Sequence, residues 1–351
     1  MEDWLDRSSN AAPLVSIIMP VRNGSPYLRF ALDSMLGQTF TRWELCVLND
    51  GSTDDTSELL RNYAALDHRI RVFENSGPPF GVAKGLNTLM SYVAPGAKYV
   101  ARMDADDVMH HLRLLTQVEF LENNGGVDIA FSRAWLMNAR SQVTGLIGGG
   151  GWKQRGVFPA IQVQELLRNG TSPLCHSTAM WRHGLVEDMG GYDTRWGCAE
   201  DFDLWIRCCL DKRNLVVLPN ILMYYRSHLG SVSSTRVIKQ LQEARAIVSL
   251  HYGPRGHSGK RRRTLTNLRF FSHILLSSRI GASSDQVIDI LEFPPRIRRV
   301  LHSPWVKGLL LSLVWILYQA RRLVASIVHK TDSSGLGGRA RDLRWRTGID
   351  S

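Results

Sequence analysis

From Leu14 onward, short β-rich apolar runs alternate with longer amphipathic stretches. Val15–Met19, Trp43–Leu48, Ile70–Phe73 and Lys98–Met103 have the length and apolar content of strands; Pro26–Leu36, Thr53–Ala65, Val82–Tyr92 and His111–Glu122 carry helical periodicity. This alternation predicts an α/β fold with a mostly parallel, Rossmann-like sheet flanked by helices. Gly51-Ser-Thr-Asp-Asp55 supplies capping residues ahead of the second helix, and Leu59, Leu60 and Tyr63 form its apolar face. After about Ala139 the pattern changes. Gly145 and Gly148 to Gly151 mark a loop, and no Gly-Lys-Ser/Thr follows to make it a phosphate cradle. Downstream, Cys175–Trp181 reads as a strand, Ala199–Leu210 as a helix and Leu215–Arg226 as one or two strands. Beyond Val232 the chain becomes helical and basic, so residues 1–13 are expected to be a tail, 14–232 the main domain and 233–351 an extension.

The chain has 351 residues, enough for one large domain or two ordinary ones. Its 43 Lys and Arg against 32 Asp and Glu give a formal charge of +11. Much of the excess lies at residues 255–263, Arg296 to Arg299 and Arg339 to Arg346, a tail suited to an anionic membrane surface or nucleic acid. Interleaved aromatics are few there and no nucleic-acid motif accompanies the charge, which disfavours nucleic acid. Cys46, Cys175, Cys198, Cys208 and Cys209 match neither a disulfide framework nor a Cys-x-x-Cys zinc pattern, so a reducing cytoplasm is expected. The acidic start, Met-Glu-Asp-Trp-Leu-Asp, has no apolar leader segment.

Candidate chemistry collects where strands end. Tyr99-Val-Ala-Arg-Met-Asp-Ala-Asp-Asp107 is an apolar run closing in three aspartates. In extended backbone Asp104 and Asp106 project one way and Asp107 the other. Two carboxylates facing together suit a hard divalent cation such as Mg²⁺ or Mn²⁺, commonly bound with a substrate's phosphates. A solvated acidic turn is the plainer alternative. Ligands of open α/β sheets sit beyond the carboxyl ends of strands. Pro20-Val-Arg-Asn-Gly24 and Asn49-Asp-Gly-Ser-Thr-Asp54 occupy the same position in the pattern.

Taken together, Val15-Ser-Ile-Ile-Met-Pro-Val-Arg-Asn23, Leu48-Asn-Asp-Gly-Ser-Thr-Asp54, Arg102-Met-Asp-Ala-Asp-Asp107, Gly191-Tyr-Asp193, Ala199-Glu-Asp-Phe-Asp-Leu-Trp205 and Tyr225-Arg-Ser-His228 resemble the family 2 glycosyltransferases of GT-A fold. The resemblance covers residues 14 to 232. It implies an inverting transferase that takes a sugar from a nucleotide sugar, a UDP-sugar first, to a hydroxyl acceptor. By the same resemblance Pro20, Val21, Asn23 and Asp50 hold the nucleoside, Asp104 reaches the ribose or the metal through water, and Asp106 with His228 ligates Mn²⁺ or Mg²⁺. Asn49 stands where many relatives carry a first Asp, and Lys84 where many carry Arg; Lys keeps the charge for a diphosphate and loses the bidentate fork. Asp201 is the implied base, with Glu200 as its backup or as a ligand of acceptor hydroxyls. Helix capping would account for acids at a helix start, though not for the following Phe-Asp-Leu-Trp. His176 and Trp205 are candidates for the acceptor side, with core filling the favoured role for Trp205.

Gly308–Ala320 holds thirteen uncharged residues between Lys307 and Arg321, short of the ~20 that span a bilayer. Ser312, Gln319, Arg322 and Ser326 make a narrow polar stripe on a helical wheel. A helix lying in a membrane surface through residues 296–330 and a core helix packed on the domain both fit that pattern. The family's habits imply polysaccharide, lipopolysaccharide or lipid-linked oligosaccharide assembly at the cytoplasmic face of a membrane. A sugar nucleotidyltransferase and a non-catalytic nucleotide-, glycan- or nucleic-acid-binding scaffold are the competing functions. The first lacks a Gly-rich basic loop after the first strand, and the second would not need every carboxylate.

Overall fold

The computed structural model describes residues 12–148, 156–170, 172–228, 230–231 and 236–253. Its first half follows the sequence pattern within a few residues. Strands β1 (Val15–Val21), β2 (Trp43–Asn49), β3 (Ile70–Glu74) and β4 (Tyr99–Arg102) alternate with helices α1 (Leu28–Leu36), α2 (Thr56–Leu66) and α3 (Val82–Met90). After the two-residue β5 (Val108–Met109) come α4 (Arg113–Asn123), β6 (Ile129–Asn138), β7 (Val143–Ile147) and α5 (Ala160–Arg168). A 3-10 turn at His176–Thr178 leads into β8 (Met180–Arg182), α6 (Leu185–Asp188), α7 (Glu200–Leu210), β9 (Leu215–Ser227) and α8 (Val237–Tyr252).

The nine strands form a single sheet ordered β3-β2-β1-β4-β8-β6-β9-β5, with β7 on β6. β1 to β4 are parallel to one another, and β6 and β9 are parallel to each other. β8 enters between β4 and β6, antiparallel to both. The short β4–β8 seam pairs Tyr99 with Arg182, Val100 with Trp181 and Ala101 with Met180. It is riveted from α4. The fully buried Arg113 donates to the Arg102 and Ala179 carbonyls at 3.0 and 3.2 Å, and Gln117 Nε2 to the Ala130 and Thr178 carbonyls at 2.8 Å each.

Central strands buried on both faces read as continuous apolar runs, and β1 shows why. Val15, Ile17, Met19 and Val21 pack against α1, α2 and α4, while Ile18 faces the layer built by α3, α7 and α8. Ile247 and Val248 of α8 are fully buried in that second layer. All five cysteines are free and buried.

The sequence pattern misses β6 and α5. β6 alternates nowhere, because seven consecutive residues from Ile129 to Trp135 are buried, Ser132 and Arg133 among them. The expected strand over 175–181 is largely a turn. Thr178 Oγ1 donates to the Cys175 carbonyl at 2.7 Å and coils the chain before β8 begins. Gly145, expected in a loop, lies within β7, and residues 149–155 fall outside the described part. The 296–330 segment lies outside it too; among the described residues no helix is long and apolar enough to cross a membrane.

Candidate active site

The Asp104 cluster is shaped by a turn that alternation does not anticipate. β4 stops at Arg102, and the Asp107 N–H folds back onto the Asp104 carbonyl at 3.4 Å. All three aspartates can therefore bring a carboxylate oxygen within 4.8 Å of one another. The expectation that Asp107 turns away is corrected: Asp107 is fully buried, and its Oδ1 accepts the Arg226 N–H at 2.8 Å. Burial, then the charges of Asp106 and Asp104, push the Asp107 carboxyl well above the usual carboxylate range, and Ser177 bonding to it offsets part of this. Asp104 is also raised, by its recessed position first, with the ion-paired Arg102 pulling the other way and Asp106 adding to the rise.

Crowded carboxylates that raise one another's pKa are a site short of positive charge. His228, from the end of β9, completes the arrangement. Its Nδ1 accepts the Gly230 N–H at 3.2 Å, which leaves the ring proton on Nε2 to be donated to Asp106 Oδ2 at 2.9 Å. Tyr27 packs on the same imidazole, with ring centroids 4.8 Å apart. The buried Arg226 fixes the turn from behind: Nε donates to the Asp106 carbonyl and Nη1 to Ser141 Oγ, both at 2.8 Å. Three converging carboxylate oxygens are a donor set that fits Mn²⁺ or Mg²⁺, and His228 Nε2 would join them only on losing its proton.

At the ends of β1 and β2 the structure assigns more framework than open surface to the predicted residues. Asn23 takes a positive φ of 53°, and its side-chain oxygen accepts the Thr53 N–H at 2.8 Å while its own N–H bonds Ser52 Oγ at 2.9 Å. These two bonds tie the two strand-end loops together. Asp50 is buried and accepts from Asn75 Nδ2 and the Phe80 N–H at 2.7 Å each and from the Gly81 N–H at 2.9 Å. It thereby closes the loop that leads into α3. Lys84, exposed on α3, sets its ammonium 4.1 Å from the Phe80 ring centroid. Pro20 is partly buried, with its Cβ near the position a side chain on Gly85 would need, and Val21 is buried.

The acid pair opens α7. Glu200 is buried and its carboxyl is pushed up to about 8, by burial first and the Asp201 charge second. Asp201 rises to about 6, chiefly through burial; Asp104 adds to the rise, while the Phe202 N–H that Oδ1 accepts at 2.7 Å and the Arg102 charge limit it. Arg102 therefore lies under both carboxylate groups, paired with Asp104 and felt by Glu200 and Asp201. Sequence reasoning gave it no role, although a charge inside the apolar run Tyr99–Met103 was the available signal.

His176 Nε2 meets the Tyr192 hydroxyl at 3.0 Å, beside the acid pair, and burial followed by Arg102 holds the imidazole well below its ordinary pKa. Of the two roles open to Trp205, core filling is the one observed. Its side chain has no accessible surface and packs edge-on to Phe131, with centroids 5.0 Å apart, so it fills core and lines no acceptor surface. Trp205→Ala should then cost ~3–5 kcal/mol of stability, read from urea unfolding. A loss under ~1 kcal/mol would contradict the core role.

Residues 16–188 match the profile described as glycosyl transferase family 2. EpsE of Bacillus subtilis (strain 168), assigned as a glycosyltransferase, is 32% identical over 203 residues, 56% of this chain and 67% of EpsE. The chain belongs to glycosyl transferase family 2. A further member-like sequence is the hyaluronan synthase of Pasteurella multocida, 36% identical over 203 residues, 58% of this chain and 19% of that one. Among solved structures, S. aureus TarS 1-349 in complex with UDP-GlcNAc superposes with a TM-score of 0.56 at 17% identity, over 87% of this chain and 91% of TarS 1-349. The mannosyltransferase PcManGT of Pyrobaculum calidifontis, in complex with GDP-Man and Mn²⁺, gives 0.51 at 15% identity, over 90% and 88% of the two chains. At such identities the structural likeness establishes the GT-A-type fold of this family 2 glycosyltransferase.

Proposed function

We propose that this glycosyltransferase uses a divalent cation to take a sugar from a nucleoside diphosphate sugar, a UDP-sugar in the first instance, and transfers it with inversion to a hydroxyl. The observation that carries the reading is the meeting of two acidic groups over one buried guanidinium: Asp104, Asp106 and Asp107 with His228 on one side, Glu200 and Asp201 on the other, Arg102 between. On the first side the four residues would hold Mn²⁺ or Mg²⁺. Such an ion, when bound, supplies Lewis-acid neutralisation of the departing diphosphate. Lys84 adds a positive charge for that diphosphate. Pro20, Val21 and Asn23 shape the base side, where Asp50 fixes the neighbouring loop. TarS bound to UDP-GlcNAc and to UDP, and PcManGT bound to GDP-Man and Mn²⁺, are the relatives whose ligands support this donor class.

On the second side, an attacking hydroxyl must lose its proton as its oxygen bonds to the anomeric carbon opposite the leaving phosphate. Asp201, with a pKa of about 6, is ionised at neutral pH and near enough to neutrality to accept a proton efficiently. Glu200, at about 8, keeps its own proton there and can donate a hydrogen bond to an acceptor oxygen. The neutral His176, anchored to Tyr192, borders this side. The acceptor class is a glycan or lipid-linked hydroxyl presented at the cytoplasmic face of a membrane, with residues 296–330 as the surface contact.

A panel of nucleotide sugars screened by thermal shift tests the donor class. A ligand that binds only the folded state at a hundred times its Kd adds ~2.7 kcal/mol, an upward shift of about 5–10 °C for a body of this size. The expected outcome is such a shift for UDP-sugars with Mn²⁺ and its loss in chelator. Equal shifts with and without metal would remove the metal-dependent reading, and a shift confined to GDP-sugars would change the base.

A further inference from the structure

The profile of family 2 ends at residue 188, yet the acid pair lies beyond it and is braced by a helix that comes later still. α8 touches the approach to the acid pair at two points. Glu243, 9% exposed, spreads its carboxylate over two successive backbone amides: Oε1 accepts the Gly197 N–H at 3.1 Å and Oε2 the Cys198 N–H at 2.8 Å. Those amides lie two and three residues ahead of Glu200. In the last turn of α8, His251 Nε2 donates to the buried Asp203 Oδ1 at 2.8 Å. Asp203 Oδ2 in turn accepts from Arg207 Nε at 2.7 Å, and Arg207 Nη2 donates to the Gly191 carbonyl at 2.8 Å, next to Tyr192. α8 thus holds both the entry to α7 and, through Asp203 and Arg207, the loop that carries Tyr192.

We propose that Glu243 is a positioning residue for the transfer reaction: by clamping the Gly197 and Cys198 amides it sets where Asp201 stands relative to the donor site. The assignment rests on the reading of Asp201 as the base. A carboxylate accepting two N–H groups is a charge-assisted fork, stronger and more directional than a neutral bond. Glu243 is buried and spends both oxygens on this loop, so removing the side chain leaves the buried Cys198 amide without its acceptor and releases the more exposed Gly197 amide ahead of it. The loop then finds a new resting place, and α7 begins from it. A shift of about 1 Å at a reacting group suffices for a ~10²-fold loss of rate.

The test uses the full chain and nucleotide release from the donor found by the panel. Glu243→Ala is expected to lower kcat ~30–100-fold while the donor KM stays within about twofold, because the Asp106 side is untouched. Glu243→Gln, which keeps shape but accepts from only one of the two amides, should fall between it and the parent. Lys239→Ala removes only the exposed cation 3.6 Å from Glu243 and should leave kcat unchanged. Rates are normalised to the concentration of donor-binding sites, so unfolded protein does not count as lost turnover. A normalised kcat within about threefold of the parent for Glu243→Ala, or a donor KM that rises in step with the loss, overturns the assignment. If Glu243→Ala does not fold, Glu243→Gln decides, and a kcat equal to the parent's overturns it. Asp201→Asn is run alongside. A dead Asp201→Asn with full-rate Glu243 variants removes Glu243 alone, whereas an active Asp201→Asn removes the base assignment and this one with it.

Discussion

Asp201→Asn should lower the turnover of nucleotide release by ~10³-fold, within the range that general-base groups contribute, and leave Mn²⁺-dependent donor binding unchanged. Asn preserves the shape and the oxygen that accepts the Phe202 N–H, so α7 keeps its start while the proton acceptor is gone. The parent's kcat should fall on the acid side with a midpoint near pH 6, where Asp201 protonates. In Asp201→Asn the residual rate should lose that limb. Turnover within tenfold of the parent would refute the assignment.

Stability should move the other way. A carboxyl whose folded pKa is raised contributes stability below its unfolded pKa and loses it as pH rises through the folded value. For Asp201 and Glu200 that window runs from about pH 4 to about 6 and about 8. At pH 8 Asp201→Asn should therefore melt no lower than the parent, and a variant that is both inactive and destabilised would point to a structural role.

Asp106→Ala should reduce turnover by ~10³-fold as well, the several kcal/mol that a cation at a departing phosphate is worth, but through binding. The Mn²⁺-dependent thermal shift with donor should disappear in Asp106→Ala and persist in Asp201→Asn. The reverse pattern would exchange their roles. His228 donates to Asp106 Oδ2, so His228→Ala should show a weaker version of the same metal defect.

Much of the first half was legible because its signals are local. Strand-length apolar runs followed by polar turns located β1, β2 and β4, and the residues at their ends are the ones the fold brings to one edge. Asp107 was misjudged because alternation assumes extended backbone, and the Asp104–Asp107 turn breaks it. Asp50 and Asn23 were located, but their bonding was not legible: their partners Asn75, Phe80 and Thr53 come from other loops, and nothing in a single stretch announces such a pairing. Trp205 shows the limit of residue type as a guide, since the same side chain serves a sugar or a core and only burial separates them. β6 escaped because a strand buried along seven residues has no period to detect. The contribution of α8 was out of reach for the same reason as Arg102's: each acts on elements distant in the chain.

The antiparallel seam between β4 and β8 divides the molecule into a segment that bears Asp104, Asp106 and Asp107 and a segment that bears Glu200, Asp201 and His228. Chimeras that exchange the second segment have a natural cut there, but α4 belongs to both pieces. Arg113 bonds a carbonyl on each side of the joint, Arg102 and Ala179, and Gln117 bonds two carbonyls on the far side. A transplant that begins after α4 must bring backbone that presents the Ala130, Thr178 and Ala179 carbonyls, or Arg113 keeps its Arg102 and Gln117 partners but loses Ala179, and Gln117 Nε2 is left with no acceptor. Compatibility with two side chains of one helix, more than likeness across the whole graft, then decides which second segments can be exchanged.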